Sequence, residues 1–171
     1  MGSPAVPPDA FAELVRSRRT TKLLDPDTPV SPEIIEELCA LATWAPNHKR
    51  TEPWRFAVFS GDSRRRLGDT IADELEADGA HEAKVAKTRT KYLRASTVIV
   101  VGSMDGPDPV TTGENRDAVA AGISNLLLGA HAHGLATLWS SVATPRSPAL
   151  WALCNFPTNT FAAGAIYLGY P

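Results

Sequence analysis

Residues Thr97-Val98-Ile99-Val100-Val101-Gly102 are a run of mostly β-branched apolar side chains with no polar alternation. A strand wetted on one side would alternate. This one has to be covered on both faces, so it reads as a central strand with helices on either side of its sheet. The longest apolar-periodic stretch runs from about Glu114 to Gly134, with Val119, Ile123, Leu126, Leu127 and Ala130 on the inward stripe and Gly134 placed to end the helix. Together they define a core. At 171 residues and 43% apolar, the chain has side chains enough for one ordinary domain.

The other elements follow from local signals. Phe11, Leu14 and Val15 recur at helical spacing and lead into Arg16, Arg18 and Arg19, cations suited to a helix C-terminus. Leu23 to Val30, with Pro26 and Pro29, reads as loop. Ser31 caps a second helix with Pro32 at its first position; the helix ends near Ala45-Pro46. A polar loop, Asn47 to Pro53, precedes a strand from Trp54 to Ser60. Leu67, Ile71 and Leu75 then lie on one helical face, and the charged stretch up to about Arg94 continues as helix. Asp105 to Pro109 reads as turn, Leu135 to Val142 as strand, Ser147-Pro148 as the cap of a short helix, and Phe161 to Leu168 as the closing strand. The order α-α-β-α-β-α-β-α-β predicts an α+β fold: a mixed central sheet of about four strands flanked by helices. A flexible segment, 1–10, precedes one domain over 11–171.

Several functions are excluded. A net charge of −2 leaves no positive field for nucleic acid. No apolar run nears the roughly 20 residues of a membrane span. The N-terminus lacks the pattern of an export signal, and Val6 stands where a myristoylation signal has Ser or Thr. Two cysteines, Cys39 and Cys154, without a Cys-x-x-Cys spacing, fit reduced thiols in a cytoplasm. No phosphate-binding glycine motif and no nucleophile elbow occurs, and His131 and His133 fall on different sides of a helix, so a metal site is not expected.

Two clusters carry possible chemistry. Arg18-Arg19-Thr20-Thr21-Lys22 crowds three cations and two hydroxyls into a helix-to-loop junction, a composition suited to a terminal phosphate or to a solvated helix end. Trp44-Ala45-Pro46-Asn47-His48-Lys49-Arg50-Thr51-Glu52-Pro53-Trp54-Arg55-Phe56 sets amide, imidazole, cations and two indoles between prolines. Such groups suit a flat ring with a heteroatom edge. For Trp54, a core anchor at the strand start is an equal reading.

These motifs resemble the nitroreductase family of flavin-dependent oxidoreductases, particularly its short bacterial members. Arg18-Arg19-Thr20 with Lys22 resembles its early Arg-Arg/His-Ser-x-Lys patch. Ala45-Pro46 through Pro53-Trp54-Arg55-Phe56 resembles its Ala-Pro to Gln-Pro-Trp-x-Phe loop, with Glu52 in place of the glutamine. Asn125 to Ala130 and Gly134 to Ser141 resemble its core helix and flavin-side strand, and Gly169-Tyr170-Pro171 its closing Gly-Tyr-Pro. The resemblance implies a homodimer with shared sites that binds FMN, takes hydride from NAD(P)H and passes it to a small electron acceptor such as a nitroaromatic or quinone by ping-pong kinetics. It implies no catalytic acid or base. Arg18, Arg19, Thr20 and Lys22 would hold the phosphate end. Trp44, Pro46, Asn47 and His48 would come from the other chain, and Trp139, Ser140 and Ser141 would lie along the ring. The family's basic tail beyond Gly-Tyr-Pro has no counterpart after Pro171, which sets an expectation of weaker FMN retention. A carrier of the same fold without reductase activity, or a flavin-free interaction domain, are the alternative readings.

Overall fold

The computed structural model describes residues 6–171. In order, its elements are α1 (Pro8–Ser17), α2 (Pro32–Thr43), β1 (Trp54–Ser60), α3 (Ser63–Ala77), α4 (Glu82–Lys91), β2 (Thr97–Met104), α5 (Pro109–Ala132), β3 (Ala136–Ser140), α6 (Pro148–Cys154) and β4 (Thr160–Gly169), with a tight turn at His48–Arg50 and a short 3₁₀ turn at Tyr92–Arg94. Residues 1–5 of the expected flexible segment lie outside the described residues; α1 already occupies Pro8 to Ala10.

The strands form one sheet in the order β1-β2-β4-β3. All three pairings are antiparallel; parallel character enters only through an isolated bridge, Thr20 to Thr137, at the β3 edge. The mixed sheet of the sequence reading is therefore an antiparallel sheet with one parallel contact. Strand β2 is central, as its composition requires, and Thr97 to Ser103 are all buried. One face of the sheet packs Val98, Val100, Ala165 and Tyr167 against α3, α4 and α6, and the other packs Ile99, Val101, Ile166 and Leu168 against α2 and α5. Residues one apart along β2 thus feed two separate cores, the expected result of period-2 alternation in a doubly covered strand.

The largest boundary differences from the sequence reading are three, besides shifts of one or two residues at the ends of α2, β2 and β4. The expected single helix between residues 63 and 94 is two. Gly79 takes φ +73°, and the Ala80 N–H donates to the Leu75 carbonyl at 2.8 Å, a Schellman stop that closes α3. Helix α5 begins at Pro109 and not Glu114, because the Asp108 carboxylate caps the Thr111 N–H at 2.9 Å and Pro109 fits the first position. Strand β3 spans only Ala136–Ser140, short of both expected ends. Gly134, at φ +72°, ends α5 by the same stop as Gly79, with Leu135 N–H on the Ala130 carbonyl.

Candidate functional site

The basic segment leaves α1 and runs extended along the outer edge of β3. The Thr21 N–H donates to the Thr137 carbonyl at 3.1 Å, beside the Thr20–Thr137 bridge. Alternation then divides the cluster. Arg19 and Thr21 line a small cleft of about 250 Å³ with Ser17, His131 and Pro171, whereas Thr20, between them in the extended segment, faces the other way; the chain bends at Lys22. Arg19 donates to the carbonyls of Arg16 and Arg18, so its guanidinium ties down the end of α1. Arg18 is half-buried, Thr20 and Lys22 are exposed, and among the described residues no carboxylate lies within ion-pair distance of Arg18 or Lys22. Uncompensated cations beside a threonine hydroxyl suit a phosphate.

The same edge carries Trp139 and Ser140, with Ser141 just beyond β3. Because the Thr137 carbonyl points outward to Thr21, the backbone groups of Trp139, two residues on, also point away from β4. The sheet edge there offers an N–H and a carbonyl to a ligand. Trp139 is 42% exposed, and its indole Nε1–H donates to the Ala163 carbonyl at 3.3 Å.

The second cluster is built differently. Lys49, Arg50 and Glu52 all have positive φ, near 50°, a conformation that costs L-residues other than glycine roughly 1–2 kcal/mol each. Side chains hold the backbone there. The Asn47 Oδ1 accepts from the Glu52 N–H at 2.9 Å, and its Nδ2 donates to Thr51 Oγ1 at 3.0 Å. Thr51 Oγ1 donates to Asn115 Oδ1 at 2.6 Å, and Asn115 Nδ2 donates to the Met104 carbonyl at 2.9 Å. Asn47 is thus engaged inside the loop, while Trp44, Pro46 and His48 are exposed, Trp44 at 83%. A cleft of about 570 Å³ lies here, lined by Trp44, Asn47, Arg50, Glu52 and Arg55 among others. Trp54 is the core anchor: it is buried and donates to the Ala118 carbonyl at 3.4 Å.

Sequence reasoning missed Asn115 and Thr51 as the braces of this loop; a polar residue on the inward stripe of a long helix was the available signal. It also missed Gly164, which faces Trp139 across β3 and β4. The two clusters do not meet in one chain. The loop leads into β1 at one edge of the sheet; the basic segment flanks the outer side of β3 at the other, and β3 itself is three strand spacings, about 14 Å, from β1. They also sit toward opposite ends, since Trp54 pairs with Ser103 while Ala136 pairs with Gly169, near the start of β2.

Both thiols are held protonated by burial, Cys39 pushed up to about 11 and Cys154 to about 12, so neither is a ready nucleophile. Among the described residues no group of three metal-binding side chains gathers, and no helix is long and apolar enough to cross a membrane.

Comparison with known proteins agrees with this architecture. A model of the nitroreductase family matches residues 15–170. The curated "Putative NAD(P)H nitroreductase YdjA" of Escherichia coli (strain K12) is 26% identical over 95% of this chain and 88% of its own length. The corresponding YfhC protein of Bacillus subtilis (strain 168) is 25% identical over 93% of this chain and 83% of its own. Among solved structures, a nitroreductase-like family protein from Bacillus cereus superposes with TM-score 0.80 at 26% identity, covering 99% of this chain and 88% of that one. The FMN-dependent nitroreductase NfnB of Mycobacterium smegmatis, solved with NADPH, shares the fold at TM-score 0.73 and 19% identity, over 95% of this chain and 87% of that one. The chain belongs to the nitroreductase family.

Proposed function

We propose that the protein is an FMN-dependent NAD(P)H oxidoreductase acting on a small electron acceptor, a nitroaromatic or quinone, with ping-pong kinetics. The relatives named above as NAD(P)H nitroreductases support the class. The observation that carries the reading onto this chain is the β3 edge. There, Thr20 bridges Thr137, with Arg18 and Lys22, which have no carboxylate partner among the described residues, two positions to either side of it in the chain, and the outward-facing backbone groups of Trp139 lie two residues further along the same strand, so an anionic tail and a ring with polar edges find complementary partners along one edge. The residues present therefore fit FMN.

When bound, FMN supplies the redox chemistry between NAD(P)H and the acceptor. The chain supplies placement. Arg18, Thr20 and Lys22 hold the phosphate end by charge-assisted hydrogen bonds, each worth about 1.5–3 kcal/mol. Arg19 keeps the end of α1, and hence Arg18, in position. The backbone of Trp139 and the Ser140 and Ser141 hydroxyls orient the ring, and the Trp139 indole covers apolar surface beside it. No side-chain acid or base is needed.

Trp44, Pro46, Asn47 and His48 reach such a site only from a second copy, because within one chain they lie across the sheet from β3. A homodimer with two shared sites follows. Helix α1 has no buried residue, and its apolar Phe11 and Val15 are 55% and 45% exposed, leaving a surface for the partner to cover. The cytoplasm, with its reduced nicotinamide pool, is the fitting compartment.

The test is the visible spectrum. Protein incubated with FMN and freed of excess should stay yellow, then bleach anaerobically on addition of NADH or NADPH. A colourless protein overturns the reading; one that stays yellow is a carrier. Parallel initial-rate lines are expected when both substrates are varied.

A further inference from the structure

Strand β4 departs from regular pairing at one point. Along β2, Val101 pairs with Gly164 and Gly102 with Ala162, so Ala163 has no partner there and forms a bulge. The β3 ladder ends with Ser140 opposite Ala165, so it does not reach Ala163 either. The Ala163 carbonyl is nevertheless satisfied: it takes the hydrogen bond from the Trp139 indole. Trp139 sits directly opposite Ile166, and Gly164 is its diagonal neighbour on the same face of the sheet, within reach of a large aromatic side chain. A Cβ on Gly164 would lie 2.1 Å from Trp139 Nε1 and 2.6 Å from its Cδ1. The ring occupies the space a side chain would take.

A strand interior is a poor place for glycine, which weakens the strand and has nothing to pack. Gly164 is buried, and Gly61, Gly79 and Gly134 are the described glycines with positive φ, so backbone conformation gives no reason for it. Close approach of the indole does. We infer that Gly164 and the Ala163 bulge form a seat for Trp139, making Gly164 a positioning residue: it fixes the indole flat across β4 so that its exposed face forms one wall of the flavin and acceptor site.

The inference rests on the proposed function for its consequence, but the seat itself can be judged separately. The chain has four tryptophans, hence four indole N–H signals in a ¹H–¹⁵N spectrum, and the W139F variant identifies the one in question. In G164A that signal should move and exchange faster with solvent, while the other three stay. The FMN Kd should rise about tenfold in G164A. In a W139A background, where no indole is left to displace, adding G164A should change Kd less than twofold. The same cycle on acceptor kinetics should raise KM more than it lowers kcat, with the rise confined to the Trp139 background. An unmoved Trp139 signal, or an equal loss of FMN affinity in both backgrounds, overturns the seat. Should G164A alone fail to fold, the G164A/W139A double variant should fold; if it does not, Gly164 serves something other than the indole. A wild type that binds no FMN defeats the functional reading, and the spectral comparison still decides whether Gly164 seats the ring.

Discussion

Segment 18–21 lies extended against β3 and bends at Lys22, with Arg18 half-buried and Thr20 and Lys22 exposed, and its backbone is tied to the sheet at Thr137. Loop 44–52, across the sheet, is folded on itself: three left-handed residues are held by an amide-hydroxyl-amide relay anchored on buried Asn115. The difference has a physical reason. Long cationic side chains can close on a phosphate from many rotamers, so the segment needs little preorganisation. The loop has to present exposed Trp44 and His48 in one orientation to another surface, and a strained backbone does so only while its braces hold. One region relies on charge, the other on rigidity.

The comparison breaks first if the two regions serve different sites. Subunits of R18A and H48A, each impaired alone, should on refolding together recover about a quarter of wild-type activity, since half the dimers are mixed and each holds one intact site. No recovery would place both residues on one chain's site. For R18A by itself, loss of a charge-assisted bond should weaken FMN binding by roughly 10- to 100-fold, and tight binding should become less sensitive to salt; fluorescence titration measures both.

Rigidity is tested at Asn115. N115A leaves Thr51 and the partly buried Met104 carbonyl short of partners, about 1–3 kcal/mol, which for a domain of this size lowers Tm by several degrees. Its FMN affinity should fall less than that of R18A, because the phosphate end is untouched; the reverse order would mean that the loop, not the cations, governs retention. Glu52 gives the opposite sign. Glycine at its φ of 48° removes a left-handed penalty, so E52G should raise Tm by a degree or two, less whatever flexibility it adds to the unfolded chain.

The smallest effect is a control in neither region. Arg146 hydrogen-bonds the Asp105 carboxylate at 2.6 and 2.9 Å and holds it below the usual carboxylate range. A carboxyl lowered in the folded state adds stability that is complete above about pH 4 and is lost as pH falls through the folded value. Acid unfolding of D105N should therefore show a shallower loss of stability below pH 4 while FMN binding at neutral pH stays as in the wild type.

Much of this was legible locally. The uninterrupted apolar run at 97–102 required a strand covered on both faces, Ser31 and Ser147 capped the helices they precede, and Gly134 stopped α5. Arg18, Thr20, Lys22 and Trp139 were nameable from motifs. Asn115, Thr51 and Gly164 were not, because each matters through a partner distant in the chain: Thr51 meets Asn115 across 64 positions, and Gly164 meets Trp139 only through the register of β3 on β4. Nor did five adjacent residues reveal that Arg19 turns back onto the end of α1 while Thr20 meets Thr137, since that depends on where the segment lies against β3.

Most of the elements, and the covering of β2 on both faces, were set locally, because hydrophobic period, caps and stops act within a few residues of where they stand. The tertiary structure decided that the sheet is antiparallel, that the two polar clusters stand on its opposite edges, and that a glycine in β4 makes room for an indole from β3. Those facts depend on strand order and register, which set distances between residues that no local signal connects.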